Sequence, residues 1–171
     1  MDAETRASFY SLLAQAFTSP EKGWAALNTR AAHSVFKKIK RLYTFSTFHE
    51  TLDVFRKELD NLGQAGDVDE TVMEYDRLFN SPYKLVVPPY ESLYRYDEGQ
   101  VMAPCAVQVE KLYKENGLEI SPEFKDLPDH IIVELQFMAY LCLMEAEARR
   151  EGKEAEALQF IKKQDSFIKE H

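Results

Sequence analysis

The sequence predicts an all-α fold: a single bundle-like helical domain of about seven to nine helices with a long Pro/Tyr-rich loop. Apolar residues recur at helical spacing along most of the chain, and no stretch before residue 80 sustains the period-two alternation of a strand. Only six Gly and seven Pro occur in 171 residues, which favours long helices. We expect one domain over residues 1–171, with helical halves at 1–79 and 105–171 joined by a loop at 80–104.

Three helices are predicted at the start of the N-terminal half. Pro20 is expected to stop the first, because a proline inside a helix removes a backbone hydrogen bond. A shorter helix follows, and the third carries basic residues between its apolar ones, as a solvated face does. The predictions rest on apolar residues at Phe9, Leu12, Leu13, Ala16, Phe17, Trp24, Leu27, Val35, Phe36, Ile39, Leu42 and Tyr43.

Two further helices are predicted before residue 80. Ser46 is expected to cap the fourth helix, and Gly63 to lie just past its end. Asp67 or Asp69 is expected to cap the fifth. The apolar faces are expected to comprise Phe48, Leu52, Phe55, Leu59 and Leu62 in the fourth helix, and Val72, Tyr75, Leu78 and Phe79 in the fifth.

The segment at 80–104 differs in composition from the helices on either side, because it holds four prolines. Leu85–Val87 has the composition of one short strand, but Pro88 and Pro89 lack a backbone N–H and block its extension. One helical turn is expected at Ser92–Tyr96. A connector of about 25 residues is longer than usual between helices, and such loops tend to carry function.

Three helices are predicted after the loop. The first contains Cys105 near its start and is expected to end at Gly117. The second is expected to begin at Pro128 and Asp129, and it is apolar almost all round, which is typical of a central buried helix. The last helix, over 154–169, is expected to direct Leu158, Phe160 and Ile161 inward.

The charge of the chain limits its partners. Lys and Arg number 21 and Asp and Glu number 29, so the net charge is 21 − 29 = −8. An acidic surface disfavours nucleic acid and anionic lipid and favours a basic peptide. The N-terminus lacks the apolar segment of a signal peptide, and the apolar run at 131–144 is too short to span a bilayer. We expect a cytoplasmic protein without nucleic-acid partner, stable membrane insertion or cofactor.

An enzyme is the alternative hypothesis, and its evidence is incomplete. His130 and Glu134 lie four residues apart on one helix, which gives half of a metal site, but the sequence supplies no second half. Cys105 lies near a helix N-terminus, where a thiolate is favoured, but no partner residue is evident. We therefore expect no catalytic residue and no metal. An oligomeric scaffold protein is a further alternative.

Tyrosines are concentrated around the long loop, at positions 75, 83, 90, 94 and 96. Tyrosine offers a large rigid contact area, and proline reduces the entropy that a loop loses on binding. Acidic residues are interspersed at Asp76, Glu91, Asp97 and Glu98. The pattern indicates a groove for a peptide with apolar and basic side chains. Packing of these tyrosines onto the helices remains the competing interpretation.

Two segments resemble a known family. EYDRLFNSPYKLVVPPYESLY (74–94) contains an aromatic-x-x-Leu-Phe segment and a Pro-Pro-Tyr-x-Ser element, and PDHIIVELQFMAYLC (128–142) runs from Pro-Asp-His into Glu-Leu-x-Phe-Met. In this order and spacing they resemble the TorD/DmsD/NarJ-type redox-enzyme maturation chaperones. The resemblance covers about residues 70–147 well and the N-terminal helices weakly.

The resemblance implies an all-α chaperone that binds the twin-arginine signal or the catalytic subunit of a molybdenum-cofactor oxidoreductase. Such a chaperone delays export until the cofactor has been inserted. The resemblance implies peptide-binding roles for Tyr75, Leu78, Phe79, Pro88, Pro89, Tyr90, Asp129 and His130. We expect Asp129 to be the main carboxylate for the arginines, with Asp76, Glu91 and Glu134 as further candidates, and we include Glu91 in the predicted peptide-binding site.

Two departures from the family pattern bear on these expectations. Family members commonly continue with a His-Leu-x-x-Trp-x-Pro segment, whereas this sequence stops at His171, so it is either naturally short or has lost its end. The aromatic anchor is often Trp in the family, but Tyr75 and Tyr90 stand here. A homodimer formed by exchange of helices across the loop is left open.

Overall fold

The computed structural model describes residues 1–27, 29–42, 46–65, 68–81, 85–96 and 103–171. These residues contain nine α-helices and one π-helical turn, and no named strand. The predicted all-α fold is confirmed. The α-helices are α1 Ala3–Ala16, α2 Pro20–Leu27, α3 Arg30–Leu42, α4 Ser46–Ala65, α5 Val68–Tyr75, α6 Ser92–Arg95, α7 Pro104–Glu115, α8 Ile131–Arg150 and α9 Glu154–Glu170, and the π-helical turn Asp76–Asn80 follows α5 directly.

Helix α8 is the central element, as its apolar pattern predicted. It packs against α1 and against α9. Since α1 belongs to the N-terminal half and α8 to the C-terminal half, the two halves pack directly on each other. The largest core cluster joins α7, α8 and α9 and consists of Val109, Tyr113, Phe137, Met138, Leu141 and Phe167.

The N-terminal helices form a smaller core of their own. Phe36 and Leu52 are buried there, against Phe9 and Phe55. Helix α1 ends at Ala16, four residues before Pro20, and Pro20 is the first residue of α2, a position that tolerates a missing N–H. None of the helices in the described ranges is long and apolar enough to cross a membrane.

A buried ionic network ties α1, α8 and α9 together. Glu145 of α8 is 2% exposed and pairs with Arg6 of α1 and with Arg149. Gln164 of α9 donates a hydrogen bond from Nε2 to Glu145 Oε2 at 2.9 Å. Although burial opposes it, hydrogen bonds from Gln164, Arg149 and Arg6 hold the pKa of the Glu145 carboxyl below its ordinary value.

Several predicted boundaries are wrong. Gly63 lies inside α4, which continues to Ala65, because glycine lowers helix stability without forbidding the helix. Helix α8 begins at Ile131 with His130 as its N-cap, so neither Pro128 nor Asp129 is its first residue. Gly117, in contrast, follows the end of α7 as predicted, with a φ of 74° that favours glycine.

Two further predictions are corrected within the described residues. Leu85–Val87 forms no strand; instead the Val87 N–H donates to the Leu78 carbonyl oxygen at 3.0 Å. Leu158 is 54% exposed, and the buried positions of α9 are Ala157, Gln164 and Phe167. Predictions for Tyr43, Asp67, Tyr83, Asp97 and Glu98, and for the side chains of Leu42, Ser46, Phe48, Leu59, Leu62 and Gly63, lie outside the described part.

Candidate functional site

The Pro-Pro segment is attached to the start of α8 by backbone hydrogen bonds. The Ile131 N–H donates to the Pro89 carbonyl oxygen at 2.8 Å, and the Glu91 N–H donates to the Asp129 carbonyl oxygen at 3.1 Å. Tyr90 and His130 therefore form an isolated antiparallel bridge. Their rings meet edge to face, with centroids 5.3 Å apart. The two segments that carry the family resemblance thus lie side by side.

Asp129 lies behind this bridge and is fully buried. Its Oδ2 accepts a hydrogen bond from the Ser92 N–H, at the first residue of α6, at 2.9 Å. Its Oδ1 has no hydrogen-bond partner among the described residues. The carboxylate therefore fixes the short helix that follows the prolines.

The aromatic-Leu-Phe segment occupies the end of α5 and the π-helical turn. The Tyr75 hydroxyl donates to the Phe17 carbonyl oxygen at 2.7 Å, and the rings of Phe79 and Phe17 meet edge to face at 6.0 Å. The Tyr75 and Phe79 rings are 5.1 Å apart. These contacts hold Phe79 against the end of α1. Extra turns of this π-helical kind are frequent at functional sites.

A cavity of about 370 Å³, here called the loop cavity, lies between these segments. Phe17, Phe79, Pro88, Tyr94 and Ile131 contribute apolar walls, and the carboxylates of Glu91 and Glu134 contribute an acidic one. Of the nine predicted site residues, five line it: Phe79, Pro88, Pro89, Tyr90 and Glu91. Its size is that of a ligand site.

A second cavity of about 540 Å³ adjoins the loop cavity. Tyr75 and Leu78 line it together with Trp24, and Phe79 lines both cavities. Three of the nine predicted residues therefore face this second cavity. Asp129 and His130 line neither of the two cavities.

Glu91 is the paired carboxylate of the loop cavity. Its Oε1 accepts from Arg95 at 2.7 Å, and its Oε2 lies 2.9 Å from His171 Nδ1 at the end of α9. The Glu91 and His171 side chains are only 7% and 2% exposed. A residue 80 positions away in sequence thus contributes to the wall of the cavity.

Glu134 is the second carboxyl group of the loop cavity, and its side chain is hydrogen-bonded to that of Glu91. It is 8% exposed, and its Oε1 has no hydrogen-bond partner in the described ranges. Burial, followed by the nearby charges of Glu91 and Asp129, raises the pKa of Glu134 to about 8. At neutral pH this side chain is therefore mostly a neutral acid.

The groups considered for catalysis have structural roles. His130 Nδ1 accepts from the Ile132 N–H at 3.1 Å, so the ring caps α8, and burial lowers the pKa of His130. Cys105 is fully buried, and burial raises the pKa of its thiol, which is the opposite of an activated nucleophile. No three His, Cys, Asp or Glu side chains are grouped for a metal within the residues that the structure describes.

Sequence reasoning missed five residues of the cavity wall: Phe17, Val87, Arg95, Ile131 and His171. Phe17 was assigned to the apolar face of its helix, and nothing local indicated that it meets Phe79. His171 lies far from the loop in sequence, so no spacing pattern could connect them. The sequence suggests Glu134 only as half of a metal site with His130 or as a further carboxylate for the arginines, because the missing partner of its Oε1 is visible only in three dimensions.

Residues 44–171 match the family described as the nitrate reductase delta subunit. This chain belongs to that family. The matched region includes the π-helical turn, the Pro-Pro segment and α8, and thus every wall of the loop cavity except Phe17. The predicted resemblance to the TorD/DmsD/NarJ-type chaperones is confirmed.

Two curated relatives of this family member are named as chaperone proteins. The selenate reductase assembly chaperone protein of Thauera selenatis is 28% identical over 154 residues, which are 90% of this chain and 64% of the relative. The chaperone protein TorD of Shewanella pealeana is 26% identical, over 86% of this chain and 69% of the relative. The chain therefore spans about two thirds of the length of these curated relatives.

A solved structure shares the fold. A crystal structure from Archaeoglobus fulgidus, described as that of a redox enzyme maturation protein, superimposes with a TM-score of 0.53 at 24% identity. The match covers 96% of this chain and 91% of the other. The helical arrangement described above is thus one that a natural protein adopts.

Proposed function

We propose that this protein is a cytoplasmic chaperone that binds the precursor of a molybdenum-cofactor oxidoreductase, through its twin-arginine signal or its catalytic subunit. It holds the precursor until the cofactor is inserted, and it is not an enzyme. The single observation that carries the proposal is the loop cavity, where an apolar wall and two carboxylates meet. The names of the relatives, a selenate reductase assembly chaperone and a chaperone protein TorD, support the same class.

The apolar part of the site suits the apolar segment of a signal peptide. Phe79, Pro88 and Tyr94 line the loop cavity, and Val86 and Val87 beside them are exposed. Exposed apolar side chains next to a cavity are typical of a binding surface. The adjoining cavity at Tyr75 and Leu78 extends the surface, so an extended or helical peptide can cover both.

The acidic part of the site suits arginine. Glu91 and Glu134 line the loop cavity, and the net charge of −8 attracts a basic peptide from a distance. A charge-assisted arginine–carboxylate bond contributes about 1.5–3 kcal/mol. Because Asp129 is buried behind the cavity wall, we assign the arginine contacts to Glu91 and Glu134 and a positioning role to Asp129.

We further propose that the binding form is a single domain and a monomer. Helices α1 and α8 pack on each other within the chain, so the two halves satisfy each other without a second copy. The homodimer that the sequence left open requires these helices to separate and exchange. Size-exclusion chromatography with light scattering, with and without peptide, distinguishes the two forms.

The test of the function is titration of a twin-arginine signal peptide into the purified protein. We expect saturable binding that weakens as salt rises, and a loss of at least about tenfold in affinity when both arginines are replaced by Gln. A scrambled peptide of the same composition is the control. Equal binding of the native and the scrambled peptide contradicts the proposal, as does failure of both the peptide and the precursor's catalytic subunit to bind.

A further inference from the structure

The buried charges around the loop cavity do not balance among the described residues. Three carboxyl groups lie close together: Glu91, Asp129 and Glu134. Two basic side chains lie there, Arg95 and His171, and both contact Glu91. Within the described residues, Glu134 forms no ion pair with a cation, and its Oε1 has no hydrogen-bond partner. An isolated buried carboxylate is so unfavourable that such a group takes up a proton instead.

The elements that pack near Glu134 present both acidic and basic groups. The loop presents Glu91, α6 presents Arg95, the segment before α8 presents Asp129, and α7 presents the Tyr113 hydroxyl, whose pKa is raised by burial and further by Glu134. The end of α9 presents His171. Arg95 favours the charged form of Glu134, but it is already paired with Glu91.

We propose that the loop cavity binds a cationic side chain by exchanging it for a proton: the Glu134 carboxylic acid is neutral in the empty cavity and ionises when a guanidinium enters. The O–H bond of the acid breaks, the proton leaves to solvent, and the carboxylate oxygens accept N–H donors from the guanidinium. The inference rests on the proposed function, since the cation is taken to be an arginine of the bound peptide.

The geometry favours this exchange in two ways. Glu134 lines the cavity although it is nearly buried, so a ligand that enters the cavity reaches a carboxyl group already removed from water. Its Oε1 is free to accept, and a guanidinium offers five donors in a fixed planar arrangement. The incoming cation therefore supplies a charge partner for Glu134 and a donor for its Oε1, neither of which the described residues provide.

The exchange makes affinity depend on pH. Binding that releases one proton becomes about tenfold tighter per pH unit wherever the acid is protonated in the free protein and ionised in the complex. We therefore expect the affinity for a twin-arginine peptide to rise from pH 6 to pH 8. Above pH 8 the free Glu134 is mostly ionised, because its pKa is about 8, so the affinity should level off.

The experiment is isothermal titration calorimetry of the whole chain in phosphate and in Tris, two buffers with different ionisation enthalpies. The probe is a twin-arginine peptide with blocked termini and without His, Cys or acidic residues, so any released proton comes from the protein. At pH 7 the wild type should release about one proton more than Glu134→Gln. Glu147→Gln, an exposed position on the same helix, is the matched control and should behave as wild type.

The outcomes separate this inference from the proposed function. Glu134→Gln has no proton to exchange, so the affinity of the variant should change little between pH 6 and pH 8, while that of wild type rises. Peptide binding without proton release by the wild type, or with equal release by Glu134→Gln, overturns the inference and leaves the function standing. Absence of peptide binding at every pH overturns both. The number of protons that wild type releases on binding the peptide still tests the inference if Glu134→Gln does not fold.

Discussion

Asp129 and Ser92 are joined by a buried hydrogen bond of 2.9 Å from the Ser92 N–H to the Asp129 carboxylate. This bond crosses 37 residues of sequence and connects the start of α8 to the helix that follows the prolines. Asp129 is thus a positioning residue, while Glu134, five residues later, is the carboxyl group that faces the loop cavity. The Pro-Asp-His element therefore contributes a residue that positions α6, and the Glu-Leu-x-Phe-Met element contributes a residue that lines the loop cavity.

Asp129→Ala should destabilise the protein by about 1–3 kcal/mol, because it leaves the buried Ser92 N–H without an acceptor. Asp129→Asn retains an oxygen acceptor and should lose less stability and little peptide affinity. Urea unfolding and peptide titration measure both quantities, with the exposed Asp165→Ala as control. If Asp129→Asn abolishes peptide binding while leaving the fold intact, the charge itself is required and the positioning role is wrong.

Phe79→Ala should weaken the binding of a twin-arginine peptide about tenfold, because Phe79 lines both adjoining cavities and contributes apolar contact to each. The measurement is peptide titration followed by fluorescence or calorimetry. Phe160→Ala is the matched control, since Phe160 is a half-buried phenylalanine that packs on the core cluster and lines neither cavity. An equal loss of affinity in both variants points to general destabilisation and contradicts the assignment.

Glu134→Gln should stabilise the free protein at high pH. The pKa of Glu134 is raised from 4.5 to about 8, so its contribution to stability is complete below pH 4.5 and is lost as the pH rises towards 8. Gln does not titrate and escapes this loss. Urea unfolding should show the variant and wild type equal near pH 4.5, and the variant more stable by on the order of 3 kcal/mol at pH 9. A pH-independent difference would count against the buried neutral acid.

Arg6→Met should destabilise the protein by about 2 kcal/mol. It removes one cation from Glu145, whose side chain is 3% exposed, and leaves Arg149 and Gln164 to compensate in part. Arg150→Met removes an exposed pair with Glu4 and should change stability by less than about 0.5 kcal/mol. Thermal unfolding compares the two variants. Similar small effects would mean that the buried network contributes no net stability.

The sequence predicted the helices well where local patterns decide them. The apolar run of α8 predicted a central buried helix, and Gly117 marked the end of α7. The predicted start of α8 was wrong because two neighbouring residues can cap the helix. Asp is the commoner capping residue, but the Asp129 carboxylate is hydrogen-bonded to Ser92, so His130 caps α8 instead. The predicted end of α4 at Gly63 was wrong because the helix-forming residues around it outweigh the cost of one glycine.

The site was predicted in part. The order of the motifs predicted that Phe79, Pro88 and Tyr90 belong to one site, because each lies in a segment whose residue types recur in the family. All three residues line the loop cavity. Sequence alone could not show that Asp129 turns away from the cavity, or that Glu134 Oε1 has no hydrogen-bond partner among the described residues, because both depend on which backbone N–H groups and cations lie nearby. The contribution of Phe17 and His171 arises from packing between distant helices, for which a single sequence carries no local signal.

The pairing of His171 with Glu91 has a consequence for biosynthesis. A chain made from its N-terminus emerges with the Pro-Pro segment long before residue 171 is added, so the wall of the loop cavity stays incomplete during most of translation. Contacts across such distances also form slowly, because the entropy of closing the intervening chain must first be overcome. The nascent protein therefore completes the wall of the loop cavity only when synthesis has passed α9 and reached residue 171.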